Sequence, residues 1–174
     1  MRVLRRRQQP HLWRRLDLAR LLMQLRPATP ADAPVIRHIA RAAYTQYIAA
    51  IGREPAPMVA DFEGQIADGS VHVAEGDGRV TGFIVFFGQQ DTMMLENVAV
   101  DPAFAGAGIG KALIDLCENA ARAAGKASVT LYTNVAMTAN QSLYPHLGYE
   151  ETHRQTDGAF QRVYYRKSLD RSDQ

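Results

Sequence analysis

The segment that most restricts the fold is a β-strand pattern that runs through three alternate glycines into a helix. Residues 98–100 end an apolar strand run, and Gly106, Gly108 and Gly110 precede a helix with amphipathic spacing. Glycine permits positive φ and close approach of a ligand, so successive backbone N–H groups in such a loop can point at one anion. The helix N-terminus adds partial positive charge at the same point. The segment therefore predicts a strand, loop and helix unit that binds phosphate.

Spacing distinguishes between the nucleotide loops that this segment could form. A Walker A loop around Gly110 and Lys111 would require Gly at position 105 and Ser or Thr at position 112, but both positions are alanine. A dinucleotide-binding loop requires its third glycine where Lys111 stands, and an acidic residue about 20 positions later, where Ser128 and Val129 stand. Both nucleotide patterns are therefore disfavoured, which leaves a loop for another phosphate-bearing ligand or, as the structural alternative, a tight turn alone.

Hydrophobic periodicity predicts an α+β fold in the order β-α-α-β-β-β-α-β-α-β-β. Such an order indicates a mixed, mostly antiparallel sheet with about four helices packed on it. Predicted strands cover 23–26, 71–74, 79–88, 92–100, 128–133, 149–156 and 160–167, and predicted helices cover 35–50, 58–66, 109–124 and 139–146.

Charge is distributed unevenly along the chain. Seven Arg and one Asp give residues 1–22 a formal charge of +6, which leaves −4 for the rest of a chain whose total is +2. We therefore interpret 1–22 as a basic arm, 23–169 as a single domain and 170–174 as a tail. Three explanations of the arm stay open: an upstream start codon with Met23 as the functional start, a disordered arm, or a basic helix that contacts nucleic acid or anionic lipid.

Composition excludes several classes of site. Cys117 is the only cysteine, so the chain has no internal disulfide, and a reducing, cytoplasmic location is expected. Its place on the apolar stripe of a predicted helix indicates a buried, inert thiol. The five histidines have no helical pair spacing, so no metal site is expected, and His146 is expected at the surface. No apolar run approaches the ~20 residues of a membrane helix.

Residues 98–113 resemble the acyl-CoA pyrophosphate loop of the GNAT superfamily of N-acetyltransferases. Positions that fit the family pattern are Val100, Pro102, Gly106, Gly108, Ile109 and Gly110. Ala105 departs from it, because the family usually has Arg or Gln there. A second block, 131–149, is similar to the family's Asn-x-x-x-Tyr helix, here Asn140 and Tyr144, followed by Leu-Gly-Tyr. The resemblance covers about residues 23–169.

This resemblance implies a three-layer α/β/α fold in which strands 92–100 and 128–133 splay apart, with acetyl-CoA as co-substrate and no metal. It implies Glu96 as general base, by way of water, and Tyr144 as the acid that protonates the leaving thiolate. The backbone N–H of Val98 would hold the thioester carbonyl. The implied cofactor-binding residues are Val98, Ala99, Val100, Ala105, Gly106, Ala107, Gly108, Ile109, Gly110, Lys111 and Asn140.

Each of these side chains also has a purely structural interpretation. Glu96 could be a solvated strand carboxylate, Tyr144 a packed aromatic residue and Asn140 a helix cap. The acceptor is a small-molecule or peptide amine, and its pocket is expected to include Tyr44, Tyr47, Arg53, Glu54 and Met58. A homodimer is compatible with the sequence, no membrane partner is expected, and nucleic acid would bind only through the arm. A non-catalytic acyl-CoA-binding sensor is the alternative to an acetyltransferase.

Overall fold

The computed structural model describes residues 22–169, which form one seven-stranded sheet with helices on both faces. The strand order is β1-β2-β3-β4-β5-β7-β6, and every neighbouring pair is antiparallel except β4 and β5. The strands are β1 (Gln24–Pro27), β2 (Val71–Gly76), β3 (Arg79–Gln89), β4 (Thr92–Val100), β5 (Ser128–Asn134), β6 (Glu150–Asp157) and β7 (Phe160–Ser168). The predicted fold class, a three-layer α+β domain with a mostly antiparallel sheet, is confirmed.

Helices precede β2 and flank β5. They are α1 (Ala33–Tyr44), α2 (Ile48–Ile51), α3 (Phe62–Ala67), α4 (Ile109–Ala123) and α5 (Thr138–His146). The predicted helix 35–50 is interrupted by a 3₁₀ turn at Thr45–Tyr47. The predicted helix 58–66 is shorter than expected, because the carboxylate of Asp61 accepts the Gly64 N–H at 3.1 Å and so starts α3 at Phe62. Predictions for the arm and the tail lie almost wholly outside the described residues.

Two buried clusters lie on opposite faces of the sheet. The α4-side core contains Leu113, Ile114 and Cys117 of α4, Tyr144 of α5, and inward residues of β2 to β5 and β7. The α1-side core contains Ile36, Ile39, Ala40, Met58, Phe62, and the opposite-facing residues of β2 and β3. This arrangement follows strand alternation, since Ile84 faces α4 while Phe83 and Val85 face α1.

A buried ionic group closes the α4-side core near β7. Glu118 of α4 is 4% exposed and accepts hydrogen bonds from the Tyr149 hydroxyl and the Lys167 ammonium, each at 3.0 Å. A buried carboxylate requires such partners, because an uncompensated charge in a core is strongly destabilising. Glu118 therefore ties α4 to the far end of the sheet.

The parallel pair β4 and β5 is joined over only three residues, Thr92–Met94 against Ser128–Thr130. Beyond that point the two strands diverge, which confirms the predicted splay. The remaining lengths of both strands have backbone edges that face the gap between them. No helix among the described residues is long and apolar enough to cross a membrane.

A β-bulge in β4 lies beside the gap. Val85 of β3 is opposite Asn97 and Phe86 is opposite Leu95, so Glu96 is the extra residue of β4. Before the bulge, Leu95 faces the α4-side core; after it, Val98 does. The shift by one residue turns the side chains of both Glu96 and Asn97 towards the α1 face.

Candidate active site

A cavity of about 300 Å³ lies where β4 and β5 separate. Residues from both faces of the sheet line it, so the gap between the strands opens through the sheet. From the strands come Leu95, Glu96, Asn97, Leu131, Tyr132, Thr133, Asn134, Phe160 and Arg162; from the α1 face come Tyr44, Pro55, Ala56, Pro57, Ala60, Asp61 and Gln65; from α5 and the residue before it come Met137, Asn140 and Tyr144.

Glu96 lies in this cavity at the bulge of β4. Its carboxylate accepts a hydrogen bond from the Gln65 side-chain amide at 2.8 Å. Gln65 belongs to α3, so a helix of the α1 face holds the carboxylate in one orientation. The side chain is half-buried and fixed, in contrast to the freely solvated strand carboxylate that was the structural alternative.

Tyr144 reaches the same cavity from the α4 face. It is 5% exposed, and its ring packs against Tyr149 and Tyr165 with centroid distances of 5.8 and 5.7 Å. Burial, with a smaller contribution from Tyr165, raises the pKa of the Tyr144 hydroxyl well above its ordinary value. The hydroxyl therefore carries its proton throughout the neutral pH range.

Asn140 precedes Tyr144 by one helical turn, and both line the cavity, as their spacing predicts. The side-chain amide of Asn140 donates to the Thr133 hydroxyl of β5 at 3.1 Å. This hydrogen bond fixes α5 against the strand that borders the gap. Asn140 is the third residue of α5, so it does not cap the helix.

The glycine loop lies outside the cavity lining. Gly106 and Gly108 have φ of +83° and +77°, and α4 begins directly afterwards at Ile109. The first amides of a helix have no partner within it, so they remain available for an anion. Space around both glycines is open, since a side chain at either would meet no atom within 4 Å. These features fit a phosphate group.

Other predicted cofactor-binding residues surround this loop. Ala105 and Lys111 are exposed, whereas Ala107 and Ile109 are buried against the α4-side core. The Lys111 ammonium pairs with Asp115 at 2.7 Å. Val98, Ala99 and Val100 form the end of β4, where Val98 and Val100 pack towards α4 and Ala99 towards α1. The strand therefore leads from the cavity directly into the loop.

Tyr44 has a role that sequence reasoning missed. Its hydroxyl donates to the Val98 carbonyl at 2.9 Å and lies 3.0 Å from the Asn97 side-chain oxygen. Burial raises the pKa of this hydroxyl far above its ordinary value, so it remains a donor. Helical periodicity marks Tyr44 as core-facing, but no local pattern connects it to residues more than 50 positions away. The last turn of α1 thus holds β4 just after its bulge.

Arg162 was also missed. Its guanidinium lies 4.4 Å from the centroid of the Tyr132 ring and 5.7 Å from that of Phe160, and it pairs with Asp157. Val163 and Tyr165 of β7 belong to the α4-side core, so Arg162 alternates to the α1 face. A single arginine in a β-strand carries no sequence signal that separates it from an ordinary surface residue.

The acceptor-pocket prediction holds only in part. Tyr44 lines the cavity, whereas Tyr47 does not line it and packs behind Tyr44, with 6.5 Å between the two ring centroids. Arg53 lies 5.6 Å from the centroid of Phe160, at the edge of the cavity. Glu54 instead pairs with Arg41 on the helix surface, and Met58 is buried in the α1-side core.

Cys117 and His146 lie outside the cavity. Cys117 is fully buried, and burial raises the pKa of its thiol to about 12, which agrees with an inert side chain. His146 is exposed at the end of α5, as expected. Among residues 22–169, no group of histidine, cysteine and acidic side chains is arranged to hold a metal ion.

Comparison with known proteins agrees with this architecture. A family model described as Acetyltransferase (GNAT) domain matches residues 67–151, which include β2 to β5, the glycine loop and α5. This stretch of the chain is therefore similar to a GNAT acetyltransferase domain. No functionally curated protein matches the chain in a sequence comparison.

Solved GNAT structures share the fold. The PaiA N-acetyltransferase of Thermoplasma acidophilum, in complex with coenzyme A, aligns with a TM-score of 0.73 at 19% identity over 84% of this chain and 99% of its own. The ribosomal-protein-S18-alanine N-acetyltransferase of Escherichia coli aligns at 0.67 and 20% identity, over 84% and 93%. YncA of Salmonella typhimurium, a putative acetyltransferase with its cofactor acetyl-CoA, aligns at 0.63 and 23% identity, over 85% and 94%.

Proposed function

We propose that this protein is a GNAT N-acetyltransferase that moves the acetyl group of acetyl-CoA to a primary amine by direct attack. The observation that carries the proposal is the cavity itself, because a carboxylate from one face of the sheet and a protonated phenol from the other both line the opening between β4 and β5. Amine acetylation needs a group that removes a proton from the nucleophile and a group that returns one to the leaving sulfur.

The cofactor end of the reaction is assigned to the glycine loop and the end of β4. The amides from Gly106 to Lys111 would hold the pyrophosphate at the N-terminus of α4. The backbone edge after the bulge, from Val98 to Val100, would pair with the pantetheine arm beside the Val98 carbonyl that Tyr44 holds, and Asn140 would contact the arm from α5. Bound acetyl-CoA supplies a thioester whose carbonyl carbon is the electrophile.

Glu96 is assigned as the general base. An amine enters as an ammonium ion, and the carboxylate takes one of its protons, directly or through one water molecule, to expose the nitrogen lone pair. The hydrogen bond from Gln65 keeps the carboxylate oriented during this transfer. The backbone N–H of Val98 is assigned to the thioester oxygen, on which negative charge develops as the new C–N bond forms.

Tyr144 is assigned as the general acid. Its hydroxyl retains its proton at neutral pH because it is buried, and it gives that proton to sulfur as the C–S bond breaks. The second proton of the attacking nitrogen then restores the phenol by way of solvent. One ammonium ion and one thioester thus give one amide, one thiol and one released proton.

Calorimetric titration of the full chain with acetyl-CoA tests the cofactor assignment, with NAD and ATP as controls. Saturable binding of acetyl-CoA alone supports it, and binding of none contradicts it. A second measurement follows thiol release with a panel of amines. Glu96→Gln and Tyr144→Phe are each expected to lower kcat by about 10²- to 10⁴-fold while acetyl-CoA affinity is retained.

Matched variants separate chemistry from folding in that experiment. Glu63→Gln removes an exposed carboxylate from the same helix that carries Gln65, and Tyr47→Phe removes a hydroxyl from a tyrosine outside the cavity lining. Both are expected to retain turnover. Acetyl-CoA binding without turnover of any amine would favour the alternative, a non-catalytic acyl-CoA sensor.

A further inference from the structure

The cavity carries charges of opposite sign at separate points of its wall. Glu96 lies at the bulge of β4, and Asp61 lies at the start of α3, on the same α1 face. Arg162 lies across the gap on β7, beyond Tyr132 of β5. An acceptor amine bound at Glu96 would therefore extend along the Tyr132 ring towards a guanidinium.

The guanidinium of Arg162 is held in place before any ligand arrives. Its side chain is 17% exposed, and it lies over the Tyr132 ring while also approaching Phe160. Stacking on aromatic faces limits the motion of an arginine and leaves its N–H groups directed sideways. The planar fork is then available for a bidentate bond to a carboxylate.

Asp157 shows that a carboxylate fits beside this arginine. It forms an ion pair with Arg162, but its own side chain is 55% exposed at the β6–β7 turn. An ion pair with so exposed a partner contributes little to stability. An incoming carboxylate can therefore share or replace Asp157 at small cost.

A second cation lies at the same edge of the cavity. Arg53 is exposed and lies on the Phe160 ring, and no acidic side chain among the described residues forms an ion pair with it. Phe160 thus has two arginines near its ring, Arg53 from the α2–α3 connection and Arg162 from β7. Among residues 22–169, Asp157 is the one acidic side chain that pairs with either arginine, so this edge is net positive, whereas the wall at Glu96 and Asp61 is negative.

The two charged regions are close enough to act on one side chain between them. Burial raises the pKa of the Tyr132 hydroxyl, the charge of Arg162 opposes that rise and the charge of Glu96 adds to it. Geometry agrees, since Glu96, Tyr132 and Arg162 line the same cavity and the Arg162 guanidinium lies 4.4 Å from the centroid of the Tyr132 ring. A small molecule that spans Tyr132 can reach both.

We propose that the acceptor is a small zwitterion of the amino-acid class, whose amine binds at Glu96 and whose carboxylate binds at Arg162. The inference rests on the proposed function, since it assigns the two ends of the acceptor in the same cavity. Arg162 is the specificity-determining residue, Tyr132 and Phe160 are the apolar walls between the charges, and Arg53 adds positive potential at the entrance.

Matched pairs of amines test this proposal. Each pair is an amino acid and its carboxamide, which differ in charge but hardly in shape: glycine, β-alanine, γ-aminobutyrate and phenylalanine, each with its amide. The dissociation constant of every member is measured by calorimetry with the full chain saturated with CoA, so the result does not depend on turnover. Turnover with acetyl-CoA is measured in parallel as kcat/KM.

In at least one pair, the amino acid is expected to bind about 10- to 100-fold more tightly than its carboxamide, which is the range of a hydrogen-bonded charge pair. A higher kcat/KM for the amino acid cannot result from the basicity of its amine. The carboxamide group lowers the pKa of the adjacent amine, so the carboxamide has the larger fraction of reactive, unprotonated amine. Equal binding of both members in every pair would overturn the proposal, and so would failure of every amine to bind.

Three variants identify the group responsible. Arg162→Gln is expected to reduce the ratio of carboxamide to amino-acid dissociation constants to about one. Arg162→Lys is expected to retain only part of that ratio, because lysine lacks the two-pronged guanidinium. Asp157→Asn leaves the arginine intact and removes its competing carboxylate, so the preference is expected to increase. Arg154→Gln, on the outer strand of the same hairpin and paired with Glu151, is the control and is expected to change nothing.

These outcomes separate the inference from the function on which it rests. If acetyl-CoA binds and amines are acetylated without regard to the carboxylate, the proposed function stands and the zwitterion is wrong. If acetyl-CoA does not bind at all, the proposed function itself fails. A preference that survives in Arg162→Gln would reject Arg162 as its source.

Discussion

On one face of the sheet, α4 and α5 cover strands from β2 to β7, whereas on the other face α1 to α3 cover β2, β3 and the end of β4. The first face is closed by a continuous core with a buried ionic group. The second leaves Tyr132, Tyr164 and Arg162 half-exposed beyond the last helix. The difference indicates that the α4 face is the more completely packed of the two, while the open half of the α1 face is where the proposed acceptor would enter.

Removal of the buried carboxylate should have the largest effect on stability. Glu118→Ala leaves the Tyr149 hydroxyl and the Lys167 ammonium without their acceptor, so we expect a loss of about 3–5 kcal/mol of unfolding free energy in urea titration. Asp115→Ala, which removes an exposed carboxylate from the same helix, should change stability by less than about 0.5 kcal/mol. Similar values for the two variants would mean that the closed face does not depend on this group.

Loss of the Tyr44 hydroxyl should have the next largest effect, on the other face. Tyr44→Phe leaves the Val98 carbonyl and the Asn97 side chain without their shared partner, and we expect a cost of about 1–3 kcal/mol. Because Val98 belongs to the proposed cofactor edge, calorimetry should also show weaker acetyl-CoA binding. Tyr47→Phe is the matched control, and an equal loss there would remove any special role for Tyr44.

Sequence alone predicted the α4 face better than the α1 face, for a physical reason. The glycine loop, Asn140 and Tyr144 lie within continuous segments, where spacing determines which groups share a face. The contacts of Tyr44 join residues 53 and 54 positions apart, and the Gln65 contact with Glu96 spans 31. Such contacts depend on how α1 and α3 cross the sheet, which periodicity does not encode.

The bulge in β4 could not be predicted from the sequence either. The apolar run 92–100 predicts an uninterrupted strand, and nothing in its composition marks Glu96 as the extra residue. A regular strand would have turned Glu96 and Asn97 to opposite faces. Sequence therefore identified the residue but not the backbone irregularity that directs its carboxylate into the cavity.

The glycine loop allows a smaller and more local test. Gly108 has φ of +77°, so Gly108→Ala should cost about 1–2 kcal/mol and weaken acetyl-CoA binding, although space for the methyl group is open. Gly110 lies inside α4, where an added Cβ would be at an ordinary 3.6 Å from Val100. Gly110→Ala should therefore retain stability. If both substitutions act alike, crowding by the ligand rather than backbone conformation explains the glycines.

The smallest expected effect concerns His72, on the α4 side of β2. Its ring stacks on Phe86 with centroids 4.9 Å apart, and burial lowers its pKa below the ordinary 6.5. The unfolded chain then takes up a proton before the folded one, so His72 lowers stability as pH falls below 6.5 and has no such effect above it. His72→Phe should flatten the loss of stability between pH 6.5 and 5, as measured by urea titration. An unchanged slope would contradict this assignment.

The bulge also determines which mutations this site can accept. A substitution near Glu96 changes one side chain, but loss or gain of a single residue there would reverse the facing of every position up to the glycine loop. Point changes on β5 and β7 can therefore alter the proposed acceptor site, while the length of β4 between Leu95 and Val98 has to stay constant to keep the facing of its side chains.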